Sequence, residues 1–174
     1  MSIPVITIDG TSGCGKGTLA HALSRHLGWH YLDSGALYRI VAWAAIYHGV
    51  TPSDTDDFAQ FIKALTIRFE DAEDIDGFAV FCNDVNISLE IRTPECGTEA
   101  SIVSAMPKVR AALFDLQLGF RKAPGLVTDG RDMGTVVFPD APYKFFLTAG
   151  LEERTQRRYK QLHDKTGSAD FDKI

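Results

Sequence analysis

A glycine-rich loop set between a short apolar segment and a helical pattern constrains this chain more than any other feature. Residues 3–9 are almost all apolar, which predicts a buried parallel strand, and Pro4 lies near its start, where a missing N–H is tolerated. Residues 17–27 carry apolar side chains at helical spacing, and Gly28 is placed to end the helix. Strand, loop and helix in this order predict the beginning of an α/β fold.

The loop has the composition of a phosphate cradle. Glycines at positions 10, 13 and 15 let the backbone turn tightly and aim N–H groups inward, and the following helix adds the partial positive charge of its N-terminus. Lys16 is spaced to reach the terminal phosphates of a nucleotide. The pattern predicts a P-loop that binds a nucleoside triphosphate. The predicted contacts are Gly10, Thr11, Ser12, Gly13, Cys14, Gly15, Lys16, Gly17 and Thr18.

The alternative is a glycine-rich turn without a ligand, which the flanking strand and helix and the correctly spaced lysine disfavour. One position departs from the general P-loop pattern: Gly17 stands where a serine or threonine hydroxyl usually binds Mg²⁺. Thr18 lies one place further on and is the candidate hydroxyl ligand. A P-loop alone does not distinguish a kinase from a GTPase or an ATP-driven machine, so the rest of the chain has to decide.

Composition restricts the class of protein further. A chain of 174 residues suits one compact domain with an inserted subdomain. No stretch approaches the roughly 18 apolar residues that span a bilayer, and no basic region followed by a long apolar run marks an export signal. The net charge of -5 argues against a protein that coats nucleic acid. Three cysteines without metal-ligand spacing favour the cytoplasm.

A second strand-to-helix transition follows, and then an insertion. Residues 29–32 predict a strand, and Asp33 and Ser34 open a helix. A short helix at 57–65 precedes three strand-like segments separated by turn residues, which predict a small antiparallel meander. The three segments are residues 66–70, 78–82 and 85–87.

The αβ alternation resumes after the insertion. Helices are predicted to start at Pro94 and Pro107, since proline is favoured in a first helical turn. Core strands return at residues 126–129 and 143–148, and residues 151–163 predict a polar helix. The sheet is predicted to be parallel and flanked by helices.

Charged residues at the end of strand 126–129 predict a ligand site, because open α/β sheets bind ligands at the carboxyl ends of their strands. Asp129 ends this strand, where P-loop proteins often hold the metal or its waters. Arg131 and Asp132 follow on a tight turn. The alternative for this turn is a surface loop with a local ion pair.

Two other segments are candidate anion sites. Ser34 and Arg39 lie at the second strand-to-helix junction, and the alternative is an ordinary helix start with Ser34 as N-cap and Arg39 in solvent. Arg154 and Arg158 lie four residues apart on the polar helix, with Arg157 adjacent, and could clamp a triphosphate. The alternative there is a solvated helix with ion pairs such as Glu153 with Arg157.

Three motifs together resemble one family. They are GxxxxGKGT at residues 10–18, DSGALYR at residues 33–39 and DGRDMGTVVFPDA at residues 129–141. The chain resembles the bacterial-type cytidylate kinases along essentially its whole length. This resemblance implies a nucleoside monophosphate kinase fold in a single domain, with the meander inside an enlarged monophosphate-binding region. It implies a core at 1–33 and 124–150, a monophosphate-binding region at about 34–122 and a partial lid at about 151–174.

The resemblance also implies a reaction, in which ATP and CMP or dCMP give ADP and CDP or dCDP with Mg²⁺ as cofactor. It assigns roles to residues at four places. Ser34, Arg39 and Arg131 would hold the acceptor phosphate, and Ser101, Arg110 and Asp132 would face the cytosine. Asp129 would bind Mg²⁺ through water, and Lys16, Arg131, Arg154 and Arg158 would be catalytic, with Arg154 and Arg158 in the lid over ATP. We expect a monomer without nucleic-acid or membrane partners.

Members of the resembled family continue beyond the position of Ile174 with further lid arginines and a final helical segment. We therefore expect the C-terminus to be incomplete, and weak phosphotransfer from a chain that truly lacks the tail. Two alternative functions stay open: another small-molecule kinase, and a nucleotide-dependent switch or binding module. The switch is disfavoured because the chain has no Asn-Lys-x-Asp guanine-reading motif.

Overall fold

Two separate sheets form the framework of the chain, of which the computed structural model describes residues 3–71 and 78–166. The first sheet has four strands, all parallel, in the order β2-β6-β1-β7. Its strands are β1 (Val5–Gly10), β2 (His30–Asp33), β6 (Leu126–Gly130) and β7 (Tyr143–Leu147). The second sheet is antiparallel, in the order β3-β4-β5. Its strands are β3 (Ile67–Asp71), β4 (Phe78–Cys82) and β5 (Val85–Asn86).

Six helices surround the sheets within the described residues. They are α1 (Lys16–Leu27), α2 (Ser34–Tyr47), α3 (Asp56–Lys63), α4 (Pro94–Ser104), α5 (Pro107–Gly119) and α6 (Leu151–Thr166). Side chains cap several of these helices: the Asp33 carboxylate accepts from the N–H of Ala36, and Thr93 accepts from the N–H of Cys96. A capping oxygen satisfies an N–H that has no partner inside the helix, which fixes where the helix begins.

The parallel sheet has an apolar layer on each face, because successive side chains of a strand point to opposite faces. On one face Ile6, Ile8, Tyr31 and Val127 pack with Ala20 of α1. On the other face Val5, Leu32 and Leu126 join the larger cluster that α2 and α5 help to form. Since the strands are parallel, the carboxyl ends of β1, β2 and β6 meet at one edge, and the chain places its glycine-rich loop there.

The parallel sheet and the antiparallel meander that the sequence predicts are both confirmed. Asn83 and Asp84 both have positive φ, 48° and 65°, as expected of the tight turn that joins β4 to β5. The predicted turn at residues 76–77 lies outside the described residues. β1 begins at Val5, so Pro4 precedes the strand rather than lying within it.

Two short segments were not predicted. Residues Glu90–Arg92 form a 3₁₀ turn, and residues Met133–Val137 form one π-helical turn directly after the turn that follows β6. Nothing in the apolar spacing distinguishes such a turn from a loop. No helix in the described ranges, 3–71 and 78–166, has both the length and the apolar character needed to cross a membrane.

Candidate active site

The glycine-rich loop connects β1 to α1, and its Cys14 N–H donates to the Thr11 carbonyl at a long 3.5 Å. Gly13 and Gly15 adopt positive φ values of 77° and 92°, which side chains other than glycine rarely adopt, and Gly15 is the N-cap of α1. No side chain caps this helix. The Lys16 ammonium rests on the Thr11 carbonyl at 3.4 Å, a long contact that a phosphate can replace.

Helix α6 packs on the outer side of this loop. A Cβ added at Gly13 would lie 3.3 Å from Arg154 Cβ, and one at Gly15 would lie 3.1 Å from Arg157 Nη1. Arg157 Nη1 donates to the Cys14 carbonyl at 2.9 Å, and Arg154 Nη1 donates to the Ser12 carbonyl at 3.5 Å. The side chains of the first α6 turns therefore help to fix the loop backbone.

The sequence predicts a triphosphate clamp from Arg154 and Arg158 with Arg157 adjacent, and its alternative is a solvated helix in which Glu153 pairs with Arg157. Arg157 does pair with Glu153, and it also binds the loop carbonyl, a contact that spacing alone could not indicate. Arg158 lies on α6, and its side chain falls outside the described residues, as do residues 167–174 of the predicted lid.

A cavity of about 600 Å³ opens at the carboxyl edge of the parallel sheet. It runs from the glycine-rich loop to helices α4 and α5 and is large enough for nucleotides. The predicted site residues that line it are Ser12, Lys16, Gly17, Ser34, Arg39, Ser101, Arg110, Asp129, Arg131 and Asp132. The other predicted residues of the glycine-rich loop, and Arg154, do not line the cavity.

The part of this cavity that is lined by α2, α4, α5 and the turn after β6 combines arginines with other polar groups. Ser34 is buried against Gly130, where an added Cβ would come 2.4 Å from Ser34 Oγ. Asp33, not Ser34, caps α2, so the Ser34 hydroxyl is not consumed as a helix cap. Arg39 is held in place through Nη1, which donates to the Ile91 carbonyl at 2.8 Å. The alternative of Arg39 free in solvent is therefore wrong.

Arg110 and Asp132 form an ion pair across this end of the cavity. Arg110 Nη1 also lies 3.4 Å from the Tyr38 hydroxyl, a residue that the sequence analysis did not select. A second cavity of about 300 Å³ adjoins these three side chains. Ser101 lies on α4 with its hydroxyl bonded to the Gly97 carbonyl at 3.0 Å. An arginine, a carboxylate and hydroxyls offer both donors and acceptors to a nucleobase edge.

Asp129 lies at the centre of the site, buried at the end of β6. Its Oδ1 accepts from the Tyr31 hydroxyl at 2.7 Å. The pKa of Asp129 is raised to about 8, first by burial and then by the negative Asp33 and Asp9, although the Tyr31 hydrogen bond and the positive Lys16 act to lower it. Burial also raises the pKa of Tyr31, which keeps the phenol protonated as a donor.

The donor set around Asp129 fits a magnesium ion that substrate phosphates and waters help to hold. Mg²⁺ in nucleotide sites usually keeps several waters and takes one or two carboxylates. A Cβ at Gly17 would stand 3.9 Å from Asp129 Oδ2, so the second carboxylate oxygen faces the space that the missing P-loop hydroxyl would enter. Across residues 3–71 and 78–166 no group of three acidic, histidine or cysteine side chains forms a closed metal cage. Thr18 is exposed and does not line the cavity.

Asp9 is a buried carboxylate at this edge that the sequence analysis did not select. It is 5% exposed, and its two oxygens accept from the N–H groups of Met133 and Gly134 at 2.9 and 2.8 Å. A charged residue that ends an otherwise apolar strand beside a P-loop was the available signal. The strand was interpreted as apolar, so Asp9 was not predicted as a site residue.

The chain is similar to a family of known proteins. The family model described as cytidylate kinase matches residues 6–174. A cytidylate kinase of Nitrosococcus oceani is 54% identical over 163 residues, which cover 94% of this chain and 72% of the relative. Cytidylate kinases of Shewanella baltica strain OS155 and Shewanella frigidimarina are 48% and 50% identical over 171 residues, which cover 98% of this chain and 74% and 75% of those relatives.

These matches extend along nearly the whole chain and include the loop, the Asp33–Arg39 segment and the turn after β6. The resemblance that the three motifs indicate is thereby confirmed. A family model that matches residues 6–174, together with relatives 48% to 54% identical over nearly the whole chain, shows that the chain belongs to the cytidylate kinase family.

Proposed function

We propose that this chain carries out the reaction of its family, the ATP-dependent phosphorylation of CMP or dCMP to CDP or dCDP, with the donor and acceptor at opposite ends of the 600 Å³ cavity. The observation that carries the proposal is that one cavity is lined both by Lys16 of the loop and by Arg39, Arg110 and Arg131. A nucleotide switch needs only the loop with Lys16 and not the three arginines.

The donor half is the glycine-rich loop. Its backbone N–H groups and the N-terminus of α1 suit the β- and γ-phosphates of ATP. Lys16 would exchange its contact with the Thr11 carbonyl for the transferred phosphoryl group and offset the charge that develops there. Arg154, and Arg158 as the family resemblance implies, are proposed to act over ATP from α6.

The acceptor half holds CMP. Ser34, Arg39 and Arg131 are proposed to bind its phosphate, and Ser101, Arg110 and Asp132 to bind the cytosine. A phosphate oxygen of CMP attacks the γ-phosphorus of ATP, the bond from that phosphorus to the β–γ bridging oxygen breaks, and ADP leaves. No side-chain nucleophile is needed, because catalysis here is mainly positioning and charge stabilisation.

Asp129 is proposed to hold Mg²⁺ through water, with Thr18 as a second candidate ligand. When bound, the ion would neutralise phosphate charge and help to align the transferred group. Asp129 is kept in place by Tyr31, and its Oδ2 faces the space beside Gly17.

We also propose that the protein acts as a monomer in the cytoplasm. One chain provides both halves of the site, and the three cysteines, Cys14, Cys82 and Cys96, are free and buried.

An acceptor panel tests the function. Release of ADP from ATP and Mg²⁺ is compared with CMP, dCMP, UMP, AMP and shikimate as acceptors, on protein of verified mass. We expect turnover with CMP and dCMP to exceed that with the other acceptors by about tenfold or more. The reason is that a wrong acceptor leaves polar groups of the site unpaired, which lowers its rate by at least that factor. Turnover with UMP, AMP or shikimate and none with CMP and dCMP would contradict the assignment.

A further inference from the structure

The carboxylate of Asp9 connects the two halves of the site. Asp9 is the last side chain of β1 before Gly10, the first residue of the glycine-rich loop. Its Oδ1 and Oδ2 accept from the Met133 and Gly134 N–H groups, which directly follow Arg131 and Asp132. We propose that Asp9 is a positioning residue for the acceptor: its carboxylate fixes the turn that presents Arg131 and Asp132 to CMP. This inference rests on the proposed function.

The geometry requires a carboxylate rather than any polar group. The two N–H groups belong to the start of the Met133–Val137 π-helical turn, and Met133 and Gly134 are both buried. A buried N–H needs an acceptor, and the two carboxylate oxygens of Asp9 provide one for each N–H. Asparagine has the same shape but offers one oxygen, and its NH₂ group would face the other N–H.

The placement of Asp9 in the sheet explains why this contact matters for transfer. β1 and β6 are neighbouring parallel strands, with Asp9 beside Gly130 in the register. The backbone of Asp9 leads into the donor loop, while its side chain fixes the acceptor turn. Asp9 therefore fixes the position of the acceptor turn relative to the donor loop, and in-line transfer depends steeply on such positioning.

The test compares Asp9→Asn and Asp9→Ala with the wild-type protein. We expect Asp9→Asn to raise the KM for CMP about tenfold and to lower kcat, with the KM for ATP changed by less than about twofold. Asp9→Ala should have a larger effect on the same two parameters. A loss caused only by poorer folding would reduce the active fraction without this selective change in the KM for CMP.

Thr7→Val is the matched control. Thr7 lies two residues earlier on the same face of β1, is fully buried, and its hydroxyl makes no hydrogen bond within the described structure. An added Cβ at Gly134 would lie 2.6 Å from this hydroxyl, so Thr7 is close to the same turn. The control therefore changes a neighbour of the turn and leaves the hydrogen bonds to Asp9 intact. We expect Thr7→Val to leave both KM values within about twofold of the wild type.

Three outcomes would overturn the inference. The first is an unchanged KM for CMP in Asp9→Asn. The second is a rise in the KM for CMP in Thr7→Val that equals the rise in Asp9→Asn. The third is a shift confined to the Mg²⁺ concentration for half-maximal rate, because Asp9 also raises the pKa of Asp129 and could act through its charge. Absence of CMP turnover in the wild type would instead count against the proposed function.

Should the variants not fold, hydrogen exchange in the wild-type protein provides the deciding measurement. We expect the Met133 and Gly134 amides to exchange at least about a hundredfold more slowly than unprotected amides, both with and without CMP. Exchange of these two amides at the unprotected rate would overturn the inference.

Discussion

At the scale of single residues, we expect the groups that stabilise charge to differ from the groups that select the acceptor. Lys16 lies at the loop end of the cavity, whereas Arg110 and Asp132 pair at the other end. Asp129 lies between them with a raised pKa, because burial disfavours its charged form. A cation beside Asp129 favours the charged form, so Lys16 contributes to the site even before a substrate binds.

Lys16→Ala should lower kcat about a hundredfold while changing the dissociation constant for CMP by less than about threefold. The reason is that the ammonium acts on the transferred phosphoryl group and not on the acceptor base. Steady-state kinetics and calorimetry with CMP measure the two quantities. Lys122→Ala, an exposed lysine outside the cavity lining, is the control. Equal losses in kcat and CMP affinity would contradict this division.

At the scale of elements, one aromatic ring of the inserted sheet packs directly against the layer that holds Tyr31. Phe78 begins β4, and its ring stacks on Tyr31 with centroids 4.5 Å apart and meets the edge of His21 at the same distance. Tyr31 in turn donates to Asp129. The insertion that the sequence marks as separate is therefore in contact with the residue that supports the central carboxylate.

Phe78→Ala should reduce the free energy of unfolding by about 2 kcal/mol, because it removes a half-buried ring from a packed cluster. It should also lower kcat, since Tyr31 loses its stacking partner. Urea denaturation and steady-state kinetics provide the measurements. Phe81→Ala is the control: Phe81 is half-buried on the same strand and contacts the Arg68 guanidinium instead. A smaller loss of unfolding free energy and of kcat in Phe78→Ala than in Phe81→Ala would refute the role of Phe78 in supporting Tyr31.

At the scale of the whole molecule, CMP is expected to link the core to the region around α4 and α5. Ser34 and Asp132 belong to the carboxyl edge of the sheet, whereas Ser101 and Arg110 lie on those two helices. A ligand that contacts both parts stabilises only the folded state in which they are correctly placed. Binding should therefore be visible as thermal stability.

A CMP concentration of 100 times its Kd should raise Tm by about 5 to 10 °C, which corresponds to about 2.7 kcal/mol in a domain of this size. Inorganic phosphate should stabilise less, because it reaches only the anion-binding residues. Differential scanning calorimetry measures both shifts. At the same CMP concentration, Arg110→Ala should show a smaller rise than Arg68→Ala, an exposed arginine of the inserted sheet. Identical rises for the two variants would contradict the placement of the base.

The sequence alone determined the features that depend on local order. The strand, loop and helix around residues 10–18, the parallel core and the antiparallel meander follow from apolar spacing and turn residues, and the structure confirms them. The family was also determined by sequence, because three motifs at fixed positions are specific in a way that one P-loop is not. The roles of the individual site residues stay predictions.

Tertiary structure decided which distant groups meet. Asp9 and Gly134 are 125 positions apart and Tyr31 and Asp129 are 98 apart, and no periodicity along the chain relates such pairs. Arg157 likewise acquires its contact with Cys14 only when α6 packs on the loop. Side-chain hydrogen bonds depend on where strands and turns come to lie after folding. The loop and the motifs were therefore predictable from the sequence, whereas the contact of the Asp9 carboxylate with the Met133 and Gly134 N–H groups was not.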